Sequence, residues 1–137
     1  MAMKVLIVED EIMAQKSLVR NLTQNFPDME IVGTTSSVVG TVSWLKDPAN
    51  VADVIFMDVE LSDGECFEIF RQCDVKAKVI MTTAYDSYAI KAFEAGSIDY
   101  LLKPVDVASL KRAVDRCRAA RANVDVEALM KAIGEER

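Results

Sequence analysis

Short apolar runs alternate along the chain with longer stretches in which apolar residues recur every three or four positions. Lys4-Val5-Leu6-Ile7-Val8 is continuous enough for a strand buried on both faces. Ala14, Leu18, Leu22 and Phe26 then recur at spacing four, which predicts a helix that Pro27-Asp28 stops. Met29–Thr35 alternates in part and reads as a strand nearer an edge. Ser36-Ser37 can cap a helix from about Val38 to Lys46, with Val38, Val42 and Leu45 inward and Asp47-Pro48 closing it. Val54-Ile55-Phe56-Met57 is a second fully apolar strand, and it ends in Asp58.

Ser62-Asp63-Gly64-Glu65 matches the capping-box spacing, with Ser at the N-cap and Glu three residues on. It predicts a third helix through Phe67, Ile69, Phe70 and Cys73. Lys78–Thr83 is a fourth strand. Asp86 can cap a helix bearing Ala89, Ile90 and Phe93, with Gly96 as its C′ residue. Ile98–Leu102 is a fifth strand, followed by Lys103-Pro104. Asp106 caps a last helix carrying Val107, Leu110, Val114 and Cys117. Five strand-helix units in this order predict a parallel sheet with helices on both faces, an α/β three-layer sandwich joined by right-handed crossovers. The expected domain covers residues 1–121. Residues 122–137, with a short amphipathic stretch over Asp125–Gly134, read as a helical linker towards a further module.

Composition narrows the function. With 51% apolar and 28% charged residues, the 137-residue chain can bury a proper core. Its net charge of -6 argues against this segment binding nucleic acid by itself, because phosphate contacts need a basic face. No apolar run approaches the roughly 20 residues that span a bilayer, and no leader is evident, so a cytoplasmic protein without membrane contact is expected. Cys66, Cys73 and Cys117 lack metal-ligand spacing and suit a reducing compartment. Cys66 and Cys73, seven apart, are expected as core-facing thiols on one helix face. Histidine is absent, which removes Ser-His and Cys-His chemistry and the usual zinc sites.

What remains lies at the strand ends. A parallel sheet collects the C-terminal ends of its strands at one edge, where open α/β sheets place their ligands. The first strand brings Glu9 and Asp10 there, the third Asp58, the fourth Thr83 and the fifth Lys103. Each has a plainer explanation. Asp58 can simply end a strand, the acidic run can be a solvated turn, Thr83 a cap and Lys103 a surface charge. Together they make chemical sense, because three crowded carboxylates call for a hard cation with oxygen ligands, such as Mg2+. Lys103 adds a fixed positive charge and Thr83 a hydroxyl. A carboxylate so surrounded is equipped to attack a phosphoryl group. Pro104 can take the cis form, which would aim the lysine into the site.

Val8-Glu9-Asp10-Glu11, Met57-Asp58, Thr83-Ala84 and Lys103-Pro104, in that order, resemble the receiver domain of two-component response regulators. The resemblance runs from Lys4 to about Arg118. Thr83-Ala84-Tyr85-Asp86-Ser87-Tyr88-Ala89, Ala92-Phe93 and Asp99–Pro104 further resemble receivers joined to LytTR-type DNA-binding domains. The resemblance implies a flavodoxin-like (βα)5 fold with strand order 2-1-3-4-5. It implies that Asp58 accepts a phosphoryl group from a histidine kinase, that Thr83 and Lys103 contact the phosphoryl oxygens, and that Tyr100 turns inward with Thr83 as a switch. It implies Mg2+ bound by Asp10, Asp58 and the Glu60 carbonyl, with Glu9 acting through water. It also implies a homodimer through the face of the fourth helix, fifth strand and fifth helix, and DNA contact only through an output domain outside this chain.

Two features depart from the pattern. Most receivers have Asp-Asp where Glu9-Asp10 stands. Gly64 follows Asp58 by six residues where many receivers have eight, which leaves the start of the third helix open. An alternative class is a phosphatase resembling the haloacid dehalogenase superfamily, which also uses a strand-end aspartate with Mg2+, Ser/Thr and Lys. Its acidic ligands lie downstream of the nucleophile, whereas here the acidic cluster lies upstream. A third reading is an interaction domain with a vestigial site, against which the intact Asp10, Asp58, Thr83 and Lys103 argue. The first reading is a signalling switch rather than a metabolic enzyme, with self-phosphorylation and autodephosphorylation as its only chemistry.

Overall fold

The computed structural model describes residues 3–84 and 97–119. The expected helix capped by Asp86, with Ala89, Ile90, Phe93 and Gly96, and the linker from residue 122 onward lie outside the described residues. Strands β1 (Met3–Val8), β2 (Met29–Thr35), β3 (Val54–Asp58), β6 (Lys78–Thr83) and β7 (Asp99–Leu102) form one parallel sheet in the order β2-β1-β3-β6-β7. This is the 2-1-3-4-5 order expected of a flavodoxin-like fold. Helices α1 (Ile12–Asn25), α2 (Val38–Lys46), α3 (Phe67–Gln72) and α4 (Val107–Ala119) pack on its faces. Here α4 is the fifth helix of the sequence reading.

Side chains alternate across a strand, so each strand feeds both layers. Val5, Ile7, Val54, Phe56 and Ile80 face Leu22 of α1 and Leu110 and Val114 of α4. Leu6, Val8, Ile55, Met57 and Met81 face Val38 and Val42 of α2 and Ile69 of α3. The inner strands are thus buried on both sides, which is why they read as unbroken apolar runs. Strand β2 is one of the two edges and only partly buried, as its alternation suggested. Its register against β1 shifts between Val5 and Leu6, where a bulge takes up one residue.

The helix ends follow local chemistry. Ser37 caps α2 by accepting the Gly40 amide at 2.9 Å. Asp106 caps α4 by accepting the Ser109 amide at 2.6 Å, which holds its carboxyl below the usual range.

The capping box expected at Ser62 is not formed. Glu60–Leu61 (β4) and Gly64–Glu65 (β5) pair as an antiparallel hairpin around Ser62-Asp63, and α3 starts only at Phe67. Gly64 has φ +147°, a conformation that suits glycine after so tight a turn. Cys66 and Cys73 consequently flank α3 instead of sharing its face. Cys66 is buried and its thiol is pushed up to about 12 by burial, which leaves it inert. Cys73 is half-buried and donates to the Ile69 carbonyl at 3.3 Å.

Candidate functional site

The parallel ladder continues one residue past several strands and sets the backbone of the cleft. The Glu9 amide donates to the Thr35 carbonyl at 2.9 Å, Val59 to Thr82 at 2.9 Å, and Lys103 to Thr83 at 2.7 Å. Each bond holds a residue in or beside the candidate site. The Lys103-Pro104 peptide is cis.

Lys103 lies between two carboxylates. Its Nζ is 2.9 Å from Asp58 Oδ2 and 2.5 Å from Glu9 Oε1. The other oxygen of Asp58 accepts the Glu60 amide at 3.2 Å, and Glu9 Oε2 accepts the Glu11 amide at 3.2 Å. Carboxylate oxygens of Glu9, Asp10 and Asp58 all lie within 4.8 Å of one another. Glu9 and Asp58 are buried, while Asp10 faces solvent. Hard oxygen donors at this spacing, two of them shielded from water, fit a divalent cation with open positions for water or phosphate.

Electrostatics reflect the crowding. Burial and the neighbouring Asp58 carboxyl raise the Glu9 pKa, against the pull of Lys103. Burial, then Glu9, raises that of Asp10. Burial works against the charged form of Lys103, but hydrogen bonds to Asp58 and Glu9 outweigh it and the net shift is upward.

Of the residues singled out from the sequence, Glu9, Asp10, Asp58 and Lys103 converge directly. Glu60 opens the hairpin and touches Asp58 through its amide. Thr83 is buried at the end of β6, and alternation turns it to the α2-α3 side of the sheet. Tyr100 is partly buried and packs against the core of that same side.

Sequence reading missed Thr82. It pairs with Asp58 across the ladder and lines a cleft of about 410 Å³ with Glu9, Lys103, Leu18, Asn21 and Val105. The preceding strand supplied a signal, since two threonines in a row at a strand end must face opposite sides. Asp63 was also missed as a long-range partner. Its carboxylate accepts the Val38 and Val39 amides of α2 at 2.6 and 3.0 Å, which lowers its pKa.

A doubly wound parallel sheet with an acidic cluster and a lysine at its carboxyl edge defines a class, and comparison with known proteins agrees. A family model described as the response regulator receiver domain matches residues 5–115, and the chain belongs to that family. It is a phosphoacceptor signalling domain of a two-component system, not a metabolic enzyme, and this supersedes the haloacid dehalogenase alternative. Membership implies a histidine kinase as partner.

Among individual proteins, the transcriptional regulatory protein BtsR of Escherichia coli (strain K12) is 40% identical over 131 residues, covering 92% of this chain and 52% of BtsR. The sensory transduction protein LytT of Bacillus anthracis is 36% identical over 107 residues, 76% of this chain and 42% of LytT. The chain thus spans about half the length of the curated relatives it matches. The crystal structure of the response regulatory domain of protein mrkE from Klebsiella pneumoniae superposes with a TM-score of 0.74 at 29% identity, covering 85% of this chain and 96% of that one. The three acidic residues are of the kind receivers use for Mg2+. No helix among the described residues is long and apolar enough to cross a membrane.

Proposed function

We propose that Asp58 is the phosphoacceptor and that its phosphorylation by a histidine kinase switches an output, transcription through a LytTR-type DNA-binding domain. One observation carries the reading. Asp58 is buried at a strand end with one oxygen on the Lys103 ammonium and the other on the Glu60 amide. Its carboxylate is thereby oriented, and positive charge stands where a phosphoryl group would bring negative charge.

In the transfer, an Asp58 oxygen forms the new P–O bond as the P–N bond of the kinase phosphohistidine breaks; the electron pair of that bond stays on the imidazole nitrogen, and the ring leaves neutral with the proton already on its other nitrogen. Lys103 passes from the carboxylate to a phosphoryl oxygen and stabilises the charge that develops there. The Thr83 hydroxyl donates to a second phosphoryl oxygen, and Tyr100 follows Thr83 inward. Glu9, Asp10, Asp58 and the Glu60 carbonyl would hold Mg2+, with Glu9 acting through water. When bound, the ion neutralises carboxylate and phosphoryl charge. Ala84, exposed next to Thr83, leaves room for the water that hydrolyses the acyl phosphate.

Relatives named as a transcriptional regulator and a LytT sensory transduction protein, each about twice as long, support this output. The same reading divides the chain into a receiver over residues 1–121 and a linker over 122–137. The same reading includes a cytoplasmic location and dimerisation through the face built on β7 and α4. Incubation with acetyl phosphate and Mg2+ should add one phosphoryl mass to the intact protein, and Asp58→Asn should abolish it. Stoichiometric labelling of that variant would refute Asp58 as acceptor.

A further inference from the structure

The hairpin after Asp58 carries a carboxylate that the proposed chemistry does not use. Asp63 sits at its tip, exposed to solvent, yet both oxygens are engaged by the first two amides of α2, 25 and 24 residues earlier in the chain. Beside it, Ser62 Oγ donates to the Ser36 carbonyl at 3.3 Å. Beneath it, buried Leu61 joins Val38 and Val42 in one apolar cluster. The base of the hairpin is held as well. The Glu60 amide bonds Asp58, and the Cys66 amide donates to the Val59 carbonyl at 2.8 Å. One end is therefore fixed to β3 and the other to α2. Helix α2 already has a cap of its own in Ser37. The second cap comes from a distant turn, so its larger consequence falls on the turn.

We propose that Asp63 is a positioning residue that sets the Glu60 backbone carbonyl for a divalent cation by anchoring the hairpin to the N-terminus of α2. This rests on Glu60 being a ligand, as proposed above. A carbonyl ligand has no side-chain torsion to adjust, so it sits wherever its turn is held. Without the anchor, the Gly64 turn can rock about its base, and the site must order it on binding. Partners that orient metal ligands typically govern affinity by such means.

The test compares Asp63→Ala, Asp63→Asn and Ser37→Ala with the wild-type chain. Mg2+ binding is measured by calorimetry, and labelling by acetyl phosphate is followed against Mg2+ concentration. Asp63→Ala should raise the Mg2+ dissociation constant roughly tenfold, with Asp63→Asn between it and wild type. Labelling at saturating Mg2+ should return to the wild-type rate, so that the half-saturation point moves and the maximum does not. Ser37→Ala removes the other cap of the same helix and should lower thermal stability while leaving Mg2+ affinity alone. Hydrogen exchange at the Val38 and Val39 amides of the wild type should slow when Mg2+ is added, since coupling is reciprocal. A dissociation constant for Asp63→Ala within about twofold of wild type, an equal weakening by Ser37→Ala, or unchanged amide exchange overturns the proposal. A wild-type protein that binds no Mg2+ gives a different result and overturns the reading of the acidic cluster itself, the anchor with it.

Discussion

Replacing Lys103 with Met keeps the unbranched shape of the side chain up to its last carbon and removes the charge between Glu9 and Asp58. At an effective dielectric constant of about 20, a unit pair at the 2.9 Å separation from Asp58 is worth about 6 kcal/mol, and two carboxylates no more than 4.8 Å apart repel by at least about 3 kcal/mol. These are gross terms, offset by the desolvation that Lys103 no longer suffers. Orphaning one partner of a buried pair costs about 3–5 kcal/mol, and the Lys103 side chain is 23% exposed, so solvent screens part of it. A net loss of about 2–4 kcal/mol near neutral pH is expected for the metal-free variant, or about 1–2 M in urea midpoint.

The charge origin of that loss has a signature. Glu9 and Asp10 already have folded pKa values above their ordinary 4.5 and 3.8, and losing the ammonium raises that of Glu9 further. A carboxyl raised on folding binds its proton more tightly in the native state. Its contribution is fully present below the unfolded value and is lost as pH rises through the folded one. The gap between variant and wild type should therefore narrow as pH falls to about 4.5. Mg2+ should narrow it near neutral pH, because the variant offers the ion an acidic cluster without a competing ammonium. At a hundred times the dissociation constant an ion adds about 2.7 kcal/mol to any state that binds it. Urea unfolding with EDTA or Mg2+ at both pH values measures all four corners. A gap unchanged by pH and by Mg2+ would refute the electrostatic account.

Glu9→Gln should isolate one titration. The advantage of wild type over this variant in EDTA should shrink as pH rises from 4.5 through the folded pKa of Glu9, and a constant difference between the two urea midpoints would contradict the upward shift. Leu110→Ala in α4, fully buried between the helix and the sheet, should cost about 2–5 kcal/mol by chemical denaturation while leaving acetyl phosphate labelling of the folded protein intact.

The sheet was readable because of where it is buried. Strands β1, β3 and β6 are covered on both faces and show as unbroken apolar runs, and Met29–Thr35, Val38–Lys46 and Lys78–Thr83 fall on the residues their patterns indicated. The convergence of Glu9, Asp10, Asp58 and Lys103 was readable for the same reason, since parallel strands share one carboxyl edge. The hairpin was not. Ser62 and Glu65 carry the spacing of a capping box, but the unsatisfied amides at the start of α2 claim Asp63 from between them. That partner lies 25 residues away, beyond the reach of any local pattern. Thr82 carries no motif of its own beside Thr83, and only strand alternation assigns the two hydroxyls to opposite sides of the sheet.

Helix α4 begins beside Lys103 and runs back along the strands. Its far end is bound there: Lys78, at the start of β6, donates to the Cys117 carbonyl at 2.8 Å, and Arg118 pairs with Asp28 at 2.6 Å. Midway, Arg112 and Arg116 reach the buried Asp99 of β7. Thirteen residues of helix cover about 20 Å, so Ala119 lies on the rim of the domain opposite the candidate site. The arginine pairs on Asp99 tie this helix to the fifth strand of the sheet, so a displacement of either one strains the ion pairs that join them.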